Sequence, residues 1–221
     1  MNRKIIVTGD NSKSLLIPEM NETYHSIHGA KNESEHIFIQ TGLKPQLANT
    51  EVRILEMGFG TGLNALLTLA CANDKITPII YDTFENYPID LETITEIDHP
   101  RQTNLEQFRT QFEMLHTLPW NESKQVTTNF NFTKYHYDFL NAELKTDYYT
   151  LIYYDAFAPQ FQPDLWDYPI MQKLYHALQH SGTLVTYCAQ GQFRRNLRQA
   201  GFTVHKVPGP KGKREITLAT K

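Results

Sequence analysis

Cysteine is nearly absent from this 221-residue chain. Cys71 and Cys188 are the only two, each among apolar neighbours and neither at a spacing that pairs or ligates a metal. That excludes a disulfide scaffold and a cysteine-built zinc site, and it fits a reduced, cytoplasmic protein. No apolar run approaches the ~20 residues that span a bilayer. The opening MNRKIIVTGDNSKSLLIPEM turns polar too soon after Arg3 and Lys4 to serve as a secretory signal. Internal repeats and low-complexity segments are missing too. His25 and His28 stand at ligand-like spacing, but no third ligand accompanies them and no metal is expected. What is there is an ordinary globular composition, 40 % hydrophobic and 20 % charged, in a chain long enough for one sizeable core.

Net charge is small, −3, yet unevenly placed. From Gln192 onward, Arg194, Arg195, Arg198, Lys206, Lys211, Lys213, Arg214 and Lys221 face a single acid, Glu215, so these last 30 residues carry +7 and the first 191 carry −10. Such asymmetry is read in two ways, as a footprint for a polyanion or as a solvated helix face with a basic tail.

The hydrophobic pattern alternates between two periods. EVRILE (51–56), PIIYDTFE (78–85), the stretch near 130–138 and YYTLIYYDA (148–156) read as buried strands. Leu63, Leu66, Leu67 and Ala70 recur at helical spacing, as do Leu105, Phe108, Phe112 and Leu115. A helix is expected over 163–180, with Trp166, Ile170, Leu174, Ala177 and Leu178 on one face and Gly182 as its stop. Strand GTLVTYC, helix QFRRNLRQA, and strands FTVHKV and EITLAT around the turn-rich PGPKGKR complete the chain. This spacing predicts a mostly parallel, doubly wound α/β sheet with an antiparallel C-terminal hairpin. Residues 1–50, a small hairpin and a helix around 33–40, are expected to cover the active edge of a core spanning 51–221.

In such sheets ligands sit beyond the carboxyl ends of the strands, where the first strand turns into its helix. At that turn Gly58, Gly60 and Gly62 form G-x-G-x-G, and Leu63 stands where a dinucleotide fingerprint needs its third glycine. The run from Glu56 to Gly62 instead resembles the acid-x-G-x-G-x-G motif of class I S-adenosylmethionine-dependent methyltransferases. An acid at the strand end can meet an ammonium, directly or through water, which a pyrophosphate site would not welcome. Glu85 ends the second strand, 23 residues after Gly62, where an acid can accept both hydroxyls of a ribose. This feature alone does not separate adenosylmethionine from NAD. Asp138 ends the third strand, placed for an adenine amino group, and Asp155 ends the fourth, placed to face the methyl group. Each strand-end acid also has a plainer reading as a cap on the helix that follows.

FGTGLN (59–64), FENYP (84–88), DAFAPQFQPDLW (155–166) and GKRE (212–215) together resemble the MnmC/MnmD-type methyltransferases, in order from about Tyr24 to the C-terminus. FENYP carries Asn86 and Tyr87 where many relatives have Lys and Phe. The resemblance implies a Rossmann-like class I fold and S-adenosyl-L-methionine as cofactor. It further implies methylation of the aminomethyl group on C5 of a wobble (2-thio)uridine in tRNA, which completes 5-methylaminomethyl-2-thiouridine. It is to the stand-alone methyltransferase, without the flavin-dependent oxidase domain of bifunctional members. By the same resemblance Glu56, Gly58, Gly60, Gly62 and Asn64 border the cofactor's methionine and ribose, Glu85 its ribose and Asp138 its adenine end. Asp155 is expected to position the target amine and accept its proton, with Phe157 and Pro159 as a stiff apolar wall. Lys211, Lys213 and Arg214 are expected to meet phosphates of the anticodon arm, helped by Arg194, Arg195 and Arg198. Tyr24, His28 and Glu33 match the family's segment ahead of the core only loosely. Methylation of a small amine, or non-catalytic binding of adenosylmethionine by an RNA partner, are the alternatives.

Overall fold

The computed structural model describes residues 2–221. Strands β1 (Lys4–Val7), β2 (Lys13–Ile17) and β3 (Glu22–Thr23) form a small antiparallel sheet. Helix α1 (Ala30–Ser34) then widens into a π-helical segment, Glu35–Leu43, and ends in the short α2 (Lys44–Gln46). The expected helix over 33–40 therefore begins earlier and runs longer. The core follows: β4 (Val52–Met57), α3 (Leu63–Ala72) and β5 (Ile79–Glu85). Next come α4 (Leu91–Ile97), α5 (His99–Gln102), α6 (Arg109–Thr117), β6 (Lys124–Thr127) and β7 (Phe130–His136). Strands β8 (Tyr149–Tyr154) and β9 (Leu178–Thr186) flank α7 (Tyr168–Ala177), and α8 (Gly191–Ala200), β10 (Thr203–Pro208) and β11 (Glu215–Thr220) close the chain.

The large sheet runs β10-β11-β9-β8-β4-β5-β7-β6. The five central strands pair in parallel, while β11 is antiparallel to both β9 and β10, and β6 to β7. The expected antiparallel C-terminal strand is thus β11. Every residue of β8 is buried, because helices cover both faces of a parallel sheet and leave its centre no solvent side. One apolar layer gathers Ile54, Leu66, Tyr81, Phe132 and Tyr153 beneath α3, and the other gathers Leu55, Tyr154, Trp166, Leu174 and Phe193 beneath α7 and α8.

The 163–180 helix differs from expectation. A 3-10 turn, Pro163–Trp166, stops at Asp167, whose backbone is extended, and α7 restarts with Pro169 in its first turn, where a missing N–H is harmless. The helix ends at Ala177, because Leu178 is already extended and pairs with Tyr149 in the sheet. Gly182 lies inside β9 and stops nothing. The short β3, α2 and α5 have no counterpart in the periodic pattern, nor do α4 and β6. Helix α4 has only Ile94 and Ile97 to bury, though Asp90 marks its start by accepting from the Thr93 N–H at 2.7 Å. The polar edge strand β6 has no buried residue.

Sequence order along the sheet reverses between β4 and β8: β5 and β7 lie on one side, β9 on the other. Their carboxyl ends, Met57 and Asp155, meet there, with the Asp155 N–H donating to the Met57 carbonyl at 3.2 Å. This topological switch point is where an open α/β sheet leaves a crevice.

Candidate active site

The crevice holds about 1060 Å³ of empty space, counting the solvent-open mouth, and the glycine bend forms one wall. Gly58, Gly60 and Gly62 have φ of +89°, +51° and +76°, the left-handed region that a side chain disfavours. Space forbids substitution as well. A Cβ on Gly58 would lie 3.0 Å from the Asp155 carbonyl oxygen, and one on Gly62 2.7 Å from His116 Nε2. The Gly58 and Phe59 N–H groups both donate to the Phe84 carbonyl, which folds the bend onto β5. Gly62 caps α3 without any side-chain bond, so the helix opens toward the cavity with unpartnered N–H groups and no carboxylate against them.

Glu85 holds the other side of the bend. Its Oε2 accepts from the Gly60 N–H at 2.9 Å and its Oε1 from the Tyr87 N–H at 2.7 Å. The carboxylate lines the cavity at the end of β5. Glu56 does not. It is wholly buried behind the cavity wall, where Thr83 Oγ1 donates to its Oε2 at 2.8 Å. Burial raises its carboxyl to about 8, so it stays protonated at neutral pH. Glu56 was expected beside the ligand, and the structure places it behind the wall instead. Glu56 shares the inward face of β4 with Ile54 and points into the core beneath α3.

Asp155 stands at the centre. It follows the last residue of β8, and Asn64 in the first turn of α3 donates its Nδ2–H to Asp155 Oδ2 at 2.9 Å. Both residues line the cavity. Burial, with like charge from Glu33, lifts the Asp155 carboxyl to about 7, against the pull of the Asn64 bond and the charge on Lys213. The backbone beyond it is pinned from three sides. Gln162 Oε1 accepts from the Phe157 N–H at 2.9 Å, Trp166 Nε1 donates to the Phe157 carbonyl at 2.8 Å, and Tyr187 Oη to the Ala156 carbonyl at 2.8 Å. Phe157 lines the cavity and meets Tyr24 edge-on at 5.0 Å between ring centres. Pro159 does not reach the wall; the loop turns away at Ala158, and Gln162 takes that place.

Residues ahead of β4 complete the enclosure. Tyr24 and Glu33 line the cavity, whereas His28 is exposed and abuts Gly212 outside it. His25 is another lining residue; its ring bonds Ser14 at 2.9 Å, and burial holds it near 4, hence neutral. No group of three metal-ligating side chains occurs among the described residues.

The basic segment divides. Lys213 is no surface cation: it lines the cavity, its Nζ 2.7 Å from Glu33 and 4.3 Å above the centre of the Tyr187 ring. Arg194 is also withdrawn, its guanidinium buried against Glu215, Thr217 Oγ1 and the Ile216 carbonyl, where it pins α8 to β11. Lys211, Arg214, Arg195 and Arg198 remain exposed. The pattern of charges along the sequence could not separate these groups, because the separation depends on which side of a hairpin or helix each residue occupies. Asp138 lies apart from Asp155, in an adjoining cavity of about 700 Å³ that shares Met57, Phe84, Asn86, Tyr87 and Gln162 with the first. There its carboxylate also caps the 3-10 turn Phe139–Asn141 by accepting from the Leu140 N–H at 3.0 Å.

A glycine bend at the first parallel strand, a strand-end carboxylate on the second and a crevice at the switch point together define an α/β protein that binds a nucleoside cofactor. A family model described as S-adenosyl-L-methionine-dependent methyltransferase matches residues 95–221, and the chain belongs to that family. Its cofactor is S-adenosyl-L-methionine, as the sequence resemblance implied. Similar curated proteins include the tRNA 5-methylaminomethyl-2-thiouridine biosynthesis bifunctional protein MnmC of Cupriavidus metallidurans, 30% identical over 216 residues, covering 91% of this chain and 32% of that protein. The protein of the same description from Ralstonia nicotianae is 27% identical over 209 residues, covering 90% and 31%. The chain therefore spans about a third of the length of the curated relatives it matches. Among solved structures, MnmC2 from Aquifex aeolicus superposes with a TM-score of 0.76 at 25% identity, over 99% of this chain and 70% of that one. Spermidine synthase from Thermotoga maritima shares the fold alone, with a TM-score of 0.59 at 15% identity, over 99% and 69%.

Proposed function

We propose that this chain is an S-adenosyl-L-methionine-dependent N-methyltransferase acting on tRNA. Its target is the aminomethyl group on C5 of the wobble (2-thio)uridine, and its product 5-methylaminomethyl-2-thiouridine. The observation that carries this reading is Asp155. A carboxyl held near 7 stands at the switch point beside the glycine bend, in a cavity whose other acids include Glu22, Glu33 and Glu85. Such a lining suits a cationic amine, and the names of the curated relatives supply the nucleoside that bears one.

The residues fit the cofactor. The left-handed glycines give its methionine and ribose a close backbone approach, the free N–H groups of α3 face its carboxylate, Asn64 stands beside them, and Glu85 accepts from the ribose hydroxyls. The adjoining cavity, with Asp138 on its rim, takes the adenine end. When bound, adenosylmethionine supplies a sulfonium methyl already activated for transfer. The protein's own task is to aim a neutral nitrogen along the line of that methyl and exclude water. An alkylammonium holds its proton up to ~10. Asp155 accepts a hydrogen bond from the ammonium, positions it, and takes one proton first, so that the nitrogen's lone pair is free to form the new N–C bond as the sulfonium–methyl bond breaks. With a carboxyl near 7, Asp155 is ionised often enough at neutral pH to do this and is a weak base.

Residues 1–50 act as a cover on the 51–221 core, placing Tyr24 against Phe157 and Glu33 against Lys213. The exposed Lys211, Arg214, Arg195 and Arg198 present a basic edge to the anticodon arm, and a tRNA substrate puts the enzyme's work in the cytoplasm. Asp155→Asn tests the assignment. It is expected to bind adenosylmethionine as wild type does in calorimetry and to lose most turnover on aminomethyl-bearing tRNA. Normal turnover would remove Asp155 from the chemistry.

A further inference from the structure

The N-terminal segment and the C-terminal hairpin meet across the cavity. Glu33 belongs to α1 and is 8% exposed; Lys213 belongs to the turn between β10 and β11. Glu33 Oε2 accepts from the Ser26 N–H at 2.8 Å, which leaves Oε1 for Lys213 at 2.7 Å. Lys213 is fixed on its other side by the face of Tyr187, and Tyr187 in turn by its bond to the Ala156 carbonyl, next to Asp155. The turn is pressed onto the N-terminal segment at two more places. His36 Nε2 lies 2.8 Å from the Pro208 carbonyl, and Gly212, with φ +90°, packs so closely on the His28 ring that a Cβ there would lie 2.4 Å from it. The Glu33 side chain is 11% exposed and that of Lys213 27%, and both line the cavity with Asp155.

We propose that Glu33 and Lys213 are positioning residues for Asp155: the ion pair latches the N-terminal cover to the C-terminal hairpin, and its two opposite charges set how firmly Asp155 holds a proton. The proposal deepens the methyltransferase reading and rests on it for its catalytic meaning. Lys213 favours the ionised carboxylate and Glu33 opposes it, so the two partners act on Asp155 in opposite senses. Other groups face Asp155 from the elements packed around it. Asn64 donates from α3, Tyr187 stands beyond β9 with its phenol raised well above the ordinary range by burial, and Glu56 on β4 and Tyr81 on β5 lie behind the wall. Across the cavity stand Glu22, Tyr24, His25 and Glu85. Of these, Tyr187 packs against Lys213, and His25 and Tyr187 feel the charge on Glu33; the others do not touch the pair and form a common background.

The test reads Asp155 without substrate. In protein labelled with 13C at aspartate carboxyls, the Asp155 resonance is assigned by its loss in Asp155→Asn and titrated across the neutral range. Lys213→Met removes the favourable charge and leaves Glu33 unpaired, so the midpoint is expected to rise by about one pH unit or more. Glu33→Gln removes the like charge and frees Lys213, so it is expected to fall by about as much. Lys213→Arg is expected to stay near wild type. Should Lys213→Met fail to fold, Lys213→Gln carries the same expectation. A folded protein whose midpoint is unmoved, or moves the same way in both charge variants, overturns the proposal. In turnover, the acid limb of kcat against pH is expected to move with each midpoint, while adenosylmethionine affinity holds. If wild type methylates no aminomethyl-bearing tRNA, the functional reading fails while the titration still decides the role of the pair.

Discussion

Replacing Asn64 with leucine removes the one side-chain hydrogen bond to Asp155 among the described residues and changes little else in volume. Asn64 is 4% exposed in the first turn of α3, where leucine is a good helix former, so the fold is expected to survive. A hydrogen bond to a charged group is worth ~1.5–3 kcal/mol. At ~1.4 kcal/mol per pH unit, its loss raises the Asp155 carboxyl by about one to two pH units. Starting from about 7, roughly half the carboxyl is ionised at neutral pH in wild type. In Asn64→Leu that fraction falls to roughly a tenth or a hundredth, so kcat at pH 7 is expected to drop about 5- to 50-fold. The loss is expected to be recovered as the pH is raised past the new midpoint. The assay is turnover at saturating adenosylmethionine and tRNA over a pH series, so that an affinity change does not enter. A kcat lowered equally at every pH, with its acid limb unmoved, would refute the role given to this bond.

Glu85→Ala removes the acceptor of the Gly60 and Tyr87 N–H groups together with the proposed ribose contact; adenosylmethionine binding is expected to weaken by ~1–3 kcal/mol in calorimetry. Unchanged affinity in a folded variant would take Glu85 out of the site. Glu56 has a carboxyl raised from 4.5 to about 8, so its contribution to stability is fully present below the unfolded value and is lost progressively as the pH climbs from there through about 8. Glu56→Gln cannot ionise and is expected to match wild type near pH 4.5 and to melt increasingly higher than wild type up to about pH 8, where the gap is complete; an equal difference at both pH values would contradict this. Charge reversal of Lys211 and Arg214, with Lys213 left in place, is expected to raise the KM for tRNA and to lower the salt slope by about one for each phosphate that is no longer neutralised. Adenosylmethionine affinity is expected to hold. Wild-type tRNA binding would mean that this edge is a solvated face.

The features legible in the sequence were those fixed by backbone chemistry. A glycine bend after an apolar run can hardly be anything but a strand turning closely into a helix, and the all-apolar YYTLIYY ending at Asp155 has no stable place except the middle of a parallel sheet. Charge was read less well, because a charged side chain buries only when a partner from elsewhere in the chain meets it. Glu33 and Lys213 lie 180 residues apart in sequence and only the fold brings them together. Arg194 looked like its neighbours Arg195 and Arg198 until β11 placed Glu215 and Thr217 beside it. Glu56 carried a motif position but alternates to the inward side of β4, a matter of strand phase at its last turn. Helix α4 had its signal in the Asp90 cap on Thr93, a polar mark that carries no apolar period.

The central claim is transfer of a methyl group to an aminomethyl uridine in tRNA. Its most direct test is mass spectrometry of the nucleosides from aminomethyl-bearing tRNA after incubation with this protein and adenosylmethionine labelled in its methyl group. The account expects the label in 5-methylaminomethyl-2-thiouridine from tRNA, with the free aminomethyl nucleoside methylated far more slowly. Unlabelled tRNA, or a free nucleoside or small amine methylated as readily as tRNA, would contradict it.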